Sequence, residues 1–170
     1  MIALEMKSTK NFMKTLLAPG PFDSFLLEEA VIKTYNTFHI DGHLVKEFYS
    51  SEELEELESN EKSTNFSLWA DIHPFCFQLM KGKKTPVSFK IILHADSRIS
   101  EKIAASPECG IAANLIRSLV LNIRYDNGKV TCITGCALTT FVMDKSVENV
   151  WDAFVRQLLS GNGLDFEEIS

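Results

Sequence analysis

Hydrophobic and polar positions alternate most cleanly along the stretch from Ser118 to Met143. Leu119, Leu121, Ile123 and Tyr125 fall on one face, and Asn122 and Arg124 on the other. That is the two-residue period of an antiparallel strand with one buried face. Asn127-Gly128 follows, and both central residues of a type I′ turn need φ > 0, which this pair supplies. With it as the turn, Asp126 faces Lys129, Tyr125 faces Val130, Ile123 faces Cys132 and Leu121 faces Thr134. A long hairpin that runs into a helix is the expectation.

The rest of the chain gives shorter signals. Ile2 to Met6 reads as a first strand. Ser8 or Thr9 caps a helix with Phe12, Met13, Leu16 and Leu17 on one stripe, stopped by Pro19-Gly20-Pro21. Ala30 to Ile40 is β-branched and aromatic and reads as one strand, turning at Asp41-Gly42 and returning from Leu44 to Tyr49. Ser51 opens an acidic surface helix, and Asn60 to Thr64 is a polar loop. After a short strand at Phe66 to Trp69, Asp71 caps a helix with Ile72, Phe75, Cys76, Leu79 and Met80 on one face; Pro74 falls in its first turn and Gly82 ends it. Val87 to His94 alternates as a strand. Between Asp96 and Ser118 the pattern is weak, with helical segments expected at Ser100 to Ala105 and Ile111 to Arg117. Val147, Val150, Trp151, Phe154, Leu158 and Leu159 make the apolar face of a last helix, capped by Asp144 or Ser146. The elements predict an α+β fold: an antiparallel sheet of hairpins with amphipathic helices on one face. Strand, helix, hairpin, helix occurs twice in order, which suggests a pseudo-symmetric sheet. Residues 1–161 form a single domain, and 162–170 form a polar tail expected to fray.

Composition narrows the class. At 170 residues, with 45% hydrophobic and 24% charged positions, the chain can bury a core without staples. The formal charge of −6 argues against a dedicated nucleic-acid binder, although a local basic patch can act alone. The start reaches Glu5 before any apolar run, and no run of some 18 apolar residues exists, so no leader, no membrane partner and a cytoplasmic location are expected. Cys132 and Cys136 lie roughly 13 Å apart on an extended strand, beyond disulfide reach. Together with Cys76 and Cys109 they read as buried thiols in a reducing compartment.

The tempting chemistry mostly dissolves. His39, Asp41 and His43 alternate like metal ligands, but a turn at Asp41-Gly42 sends the two histidines to opposite faces. His73 beside Asp71 and His94 beside Asp96 have the chemistry of a general base, with nothing to bring them together. Gly82-Lys83-Lys84-Thr85 follows a helix and precedes a strand, the reverse of a phosphate loop. No catalytic residue, metal site or cofactor is assigned. Two groups remain as candidates. Lys81, Lys83, Lys84 and Lys90 form a basic cluster able to contact an anion or a nucleic-acid backbone. Trp151, Phe154, Phe89 and Tyr125 would line a pocket between the sheet and the last helix, in the helix-grip manner.

Five phrases, MIALEMKSTKNFMKTLL, TYNTFHIDG, LWADIHPFCFQLMKGKKTP, LNIRYDNGKVTCITG and FVMDKSVENVWD, together resemble a family of bacterial proteins of this length, of the kind found in anaerobic Firmicutes and carrying a domain of unknown function. The resemblance implies no catalytic motif and transfers no residue role. In element order the chain is similar to one domain of a DNA sliding clamp, but with an acidic helix and a long carboxy-terminal helix foreign to that pattern. Three roles follow: a non-enzymatic interaction or scaffold domain acting on a protein partner or on itself, a clamp-like nucleic-acid-associated protein, and a small-ligand binder.

Overall fold

The computed structural model describes residues 1–59 and 65–169; the polar loop read at Asn60 to Thr64 lies outside them. The expected long hairpin forms. β6 (Ile116–Asp126) and β7 (Lys129–Leu138) pair in the anticipated register, Asp126 with Lys129 and Ile123 with Cys132. Asn127 and Gly128 take φ of 51° and 80°, the left-handed pair that the turn requires.

Around this hairpin stand β1 (Ala3–Met6), β2 (Leu26–Lys33), β3 (Thr37–Asp41), β4 (Ser67–Leu68), β5 (Ser88–His94) and β8 (Phe166–Glu168). The sheet runs β3-β2-β5-β6-β7-β1-β8, with β4 added to one end of β2, and every pairing is antiparallel. The helices are α1 (Thr9–Leu16), α2 (Ser51–Ser59), α3 (Trp69–Met80), α4 (Ser97–Ala104) and α5 (Ser146–Gly161). The fold is therefore α+β on an antiparallel sheet. The repeated element order does not become a repeated pairing: β5 lies between β2 and β6, whereas β1 lies between β7 and β8.

One core holds the molecule. Phe12 and Leu16 of α1, Trp69 and Cys76 of α3, Ile103 of α4, and Val147, Trp151 and Val155 of α5 pack with the inward residues of the strands. Each fully buried Leu, Ile or Phe contributes about 1.5–3 kcal/mol by leaving water. The opposite side chains of the central strands, Val31, Ile92, Val120 and Ile133, are only half-buried and take no part in that core. The helices thus cover one face of the sheet and leave the other open.

Several local expectations need correction. The run from Ala30 to Ile40 is two strands, turning at Thr34 to Asn36, where the Thr34 N–H donates to the Asn36 carbonyl. Asp41-Gly42 is not a hairpin turn. Gly42 is where the chain presses on the β2 backbone, and a Cβ there would stand 1.8 Å from the Leu27 oxygen. The expected return strand is a single 3₁₀ turn at Lys46–Phe48, with an isolated bridge from His43 to Phe66. α3 starts at Trp69, whose buried indole N–H donates to the Leu16 carbonyl at 2.9 Å, so Pro74 lies inside the helix.

Asp96 caps α4 three residues earlier than expected, its Oδ1 accepting from the Ile99 N–H, and the helix expected at Ile111 to Arg117 is a 3₁₀ turn that opens β6. The tail expected to fray is instead an edge strand. Leu4, Glu5 and Met6 pair with Glu168, Glu167 and Phe166, and Leu164 is buried. The outer edge of β1 carries unsatisfied backbone groups, and the tail is the segment that satisfies them.

Candidate functional site

The uncovered face carries its charges in cross-strand rows. One row holds His39 on β3, Val31 on β2, Lys90 on β5 and Arg124 on β6. Lys90 and Arg124 are direct partners, an arrangement of like charges that costs stability in a sheet. Lys33 stands at the adjacent end of β2 beside Ser88. Lys33, Lys90 and Arg124 border a hollow of about 590 Å³ floored by Val31. Lys90 Nζ is 3.7 Å from Glu29 Oε2, and that carboxylate is shared with His39 Nε2 at 3.1 Å. Among the described residues, Lys33 and Arg124 take part in no ion pair.

The basic cluster read from the sequence is therefore only partly one site. Lys90 is on the sheet face. Lys81, Lys83 and Lys84 are exposed in the connection after α3. That connection reaches the same end of the sheet, because the Val87 N–H donates to the Lys33 carbonyl. Lys33 and Arg124 were missed in the sequence; the signal was available in the alternation that puts Arg124 opposite the buried face.

The four rings proposed to line a pocket stand in two separate stacks. Phe89 and Tyr125 are 5.2 Å apart at 13°, and Trp151 and Phe154 are 5.5 Å apart at 15°. Trp151 is wholly buried, leans on Phe25 and donates its indole N–H to the Val120 carbonyl.

The histidines are all tied to carboxylates. His43 Nδ1 lies 2.6 Å from Asp41 Oδ1, and the His43 N–H bonding the same oxygen holds the Asp41 carboxyl below its usual range. His73 is buried, with Nε2 3.2 Å from Asp23 Oδ1, but the two are not aligned for a hydrogen bond. His94 Nε2 is 3.2 Å from Glu28 Oε2. No group of three metal-ligating side chains occurs among the described residues.

Glu28 reaches His94 because the β2–β5 register shifts between Leu27 and Glu29. Such a bulge re-aims a side chain at the end of a strand. Phe66 packs against the His94 ring, centroids 4.9 Å apart, and His43 against the other partner position of Phe66 at 4.8 Å. His94 lies on the wall of a cleft of about 850 Å³ at the end of the sheet away from Lys90. The cleft brings together Asp23, Asp96 and Glu101 with Arg98 and Arg117.

The cysteines are free thiols. Burial pushes Cys76 up to about 12 and raises Cys132 further, so neither is a nucleophile at neutral pH. A polar group unforeseen in the apolar stripe of α5 is Asp152, which is 6% exposed and accepts from the Thr134 hydroxyl at 2.5 Å. Thr134 Oγ1 in turn accepts from the Ile2 N–H. This network ties α5 to β7 and β1 and is structural.

No helix among the described residues is long and apolar enough to cross a membrane. A family model described as a family of unknown function (DUF5721) matches residues 15–167. No curated protein and no solved structure matches the chain, so the likeness in element order to a sliding-clamp domain stays an expectation.

Proposed function

The chain belongs to that family of unknown function, whose name carries no role over to it, and we propose that it is a non-enzymatic interaction domain that binds polyanions through the uncovered face of its sheet. The observation that carries this reading is the row of cations on that face. Lys90 and Arg124 face each other directly and Lys33 flanks them; Glu29 pairs with Lys90 alone of the three, and Asp126 stands on the rim of the same hollow. An isolated sheet gains nothing from like charges held opposite one another. A phosphate backbone laid across the strands would neutralise them, and Lys81, Lys83 and Lys84 extend the same end of the molecule. A nucleic acid is the polyanion that fits a row of this kind, without base reading, since the row offers charge and no built pocket for a base.

The test is fluorescence anisotropy with a labelled oligonucleotide over a salt series. Three phosphate contacts give a slope of log K against log salt of about −2 to −3. Lys90→Glu with Arg124→Glu abolishes the binding. A wild-type chain that shows no association at the lowest salt refutes the proposal.

A further inference from the structure

The cleft at the opposite end of the sheet holds both signs of charge without pairing them. Arg98, in the first turn of α4, and Arg117, at the start of β6, line the same hollow as Asp23, Asp96 and Glu101. Among the described residues neither guanidinium lies in an ion pair with any carboxylate. Asp96 is committed through Oδ1 to the cap of α4, and Asp23 stands beside buried His73. A cleft of about 850 Å³ is in the range that takes small molecules.

The wall of the cleft contains one ring held in place from two sides. His94 is fixed by Glu28 at Nε2 and by Phe66 against its face, and among the described residues Nδ1 has no partner. Glu28 is aimed by the bulge, and the bulge is clamped by Gly42, whose N–H donates to the Glu28 carbonyl at 2.8 Å. A side chain supported through two further layers is how binding sites achieve precise geometry. Nothing in the packing of the core requires it, since His94 lies on the uncovered side of β5.

The charges select the ligand class. A simple anion would meet the two arginines together with three carboxylates, and a simple cation the reverse. A molecule that carries both an ammonium and a carboxylate uses the two sets at once. Its carboxylate suits the planar fork of Arg98 or Arg117, and its ammonium suits the free carboxylate oxygens. We propose that this cleft binds a small zwitterion of the amino-acid class, with His94 Nδ1 as an additional hydrogen-bond partner. The site is independent of the cationic row at the other end of the sheet.

The experiment is NMR titration of the full ¹⁵N-labelled chain with free L-leucine, L-lysine and L-glutamate in turn, with acetate and methylamine as single-charge controls. Saturable shifts are expected for at least one amino acid, at the Arg98 and Arg117 side-chain N–H groups and the His94 ring, with much smaller ones from either control. Arg98→Ala with Arg117→Ala removes the response, while Lys90→Ala leaves it unchanged. Both arginines are exposed, so the double variant keeps its fold, which its amide spectrum verifies. Silence from all three amino acids overturns the proposal. So does an acetate or methylamine response as strong as that of the amino acids, which marks an ordinary single-charge surface.

Discussion

Gly42→Ala is the substitution whose cost the structure fixes most closely. The backbone at Gly42 has no positive φ, so the glycine is not there for conformational freedom. It is there for space. A Cβ would stand 1.8 Å from the Leu27 carbonyl oxygen, 2.5 Å from its carbon and 3.1 Å from the Glu28 oxygen. Ordinary contact requires the backbone to retreat by more than about 1 Å, and the atoms that must move are main chain, with no rotamer to absorb the clash. Two hydrogen bonds are hinged there, Gly42 N–H to Glu28 and Ser67 N–H to Gly42. Losing both costs about 1 kcal/mol each, and overpacking adds about 1–3 kcal/mol. The variant should lose about 3–5 kcal/mol, a large share of the roughly 5–15 kcal/mol of a typical domain. In urea, with a slope of about 2 kcal/mol/M, the midpoint falls by about 1.5–2.5 M. The bulge also relaxes, so the His94–Glu28 contact loosens and the ring resonance of His94 shifts in the folded variant. Gly161→Ala serves as the control, since nothing lies within 4 Å of a Cβ there and its φ is not positive. A midpoint for Gly42→Ala within about 0.5 M of wild type would refute the close-approach argument.

The other predictions are shorter. Thr134→Val leaves Asp152 Oδ1 and the Ile2 N–H without their partner, while the Met1 nitrogen stays on Oδ2, and urea unfolding should show a loss of about 1–3 kcal/mol. Asp144 accepts from the Ser146 N–H at the start of α5, and that bond holds its carboxyl below the ordinary value. The stabilisation is present above the unfolded-state pKa and is lost as pH falls through the folded one. The protection factors of the amides in the first turn of α5 should therefore fall on acidification, and in Asp144→Ala they should be low at every pH. Cys76 and Cys132 should resist a thiol reagent at neutral pH in the folded chain and react fully in urea. Mass spectrometry of the alkylated chain separates the two states.

Where one side of a strand is core and the other is solvent, the sequence was legible. The β6–β7 hairpin is the case in point: its register follows from Asn127-Gly128 and the alternation of Leu119 to Tyr125. Two kinds of feature were not legible. A glycine after an aspartate reads as a turn, yet Gly42 serves a close approach between segments distant in sequence, which no local pattern reports. The tail from Asn162 looks too polar for a strand, and edge strands tolerate polar residues because only their backbone is recruited. The basic cluster was half visible. Lys90 was legible, but its partners Lys33 and Arg124 come from other strands, and only the strand order brings them together.

The bulge at Glu28 explains why the cleft escaped the sequence altogether. In LLEEAVIK, two leucines and two glutamates break the alternation expected of a strand. With regular pleating, Glu28 and Glu29 would point to opposite faces and one carboxylate would enter the core, at a cost of several kcal/mol. The register shift between Leu27 and Glu29 removes that conflict. It sends Glu29 to the cationic row, where it meets Lys90 and His39, and Glu28 to His94 at the cleft. A doubled glutamate inside an apolar strand is thus the one local sign of this irregularity. The same step in the backbone supplies both ends of the open face with their carboxylates. A Glu28→Ala variant should therefore release the His94 ring while leaving the Lys90 row intact. The chemical shifts of the His94 ring at fixed pH check the first effect, and oligonucleotide binding checks the second. If the ring resonances stay at their wild-type positions, the bulge does not position the ring.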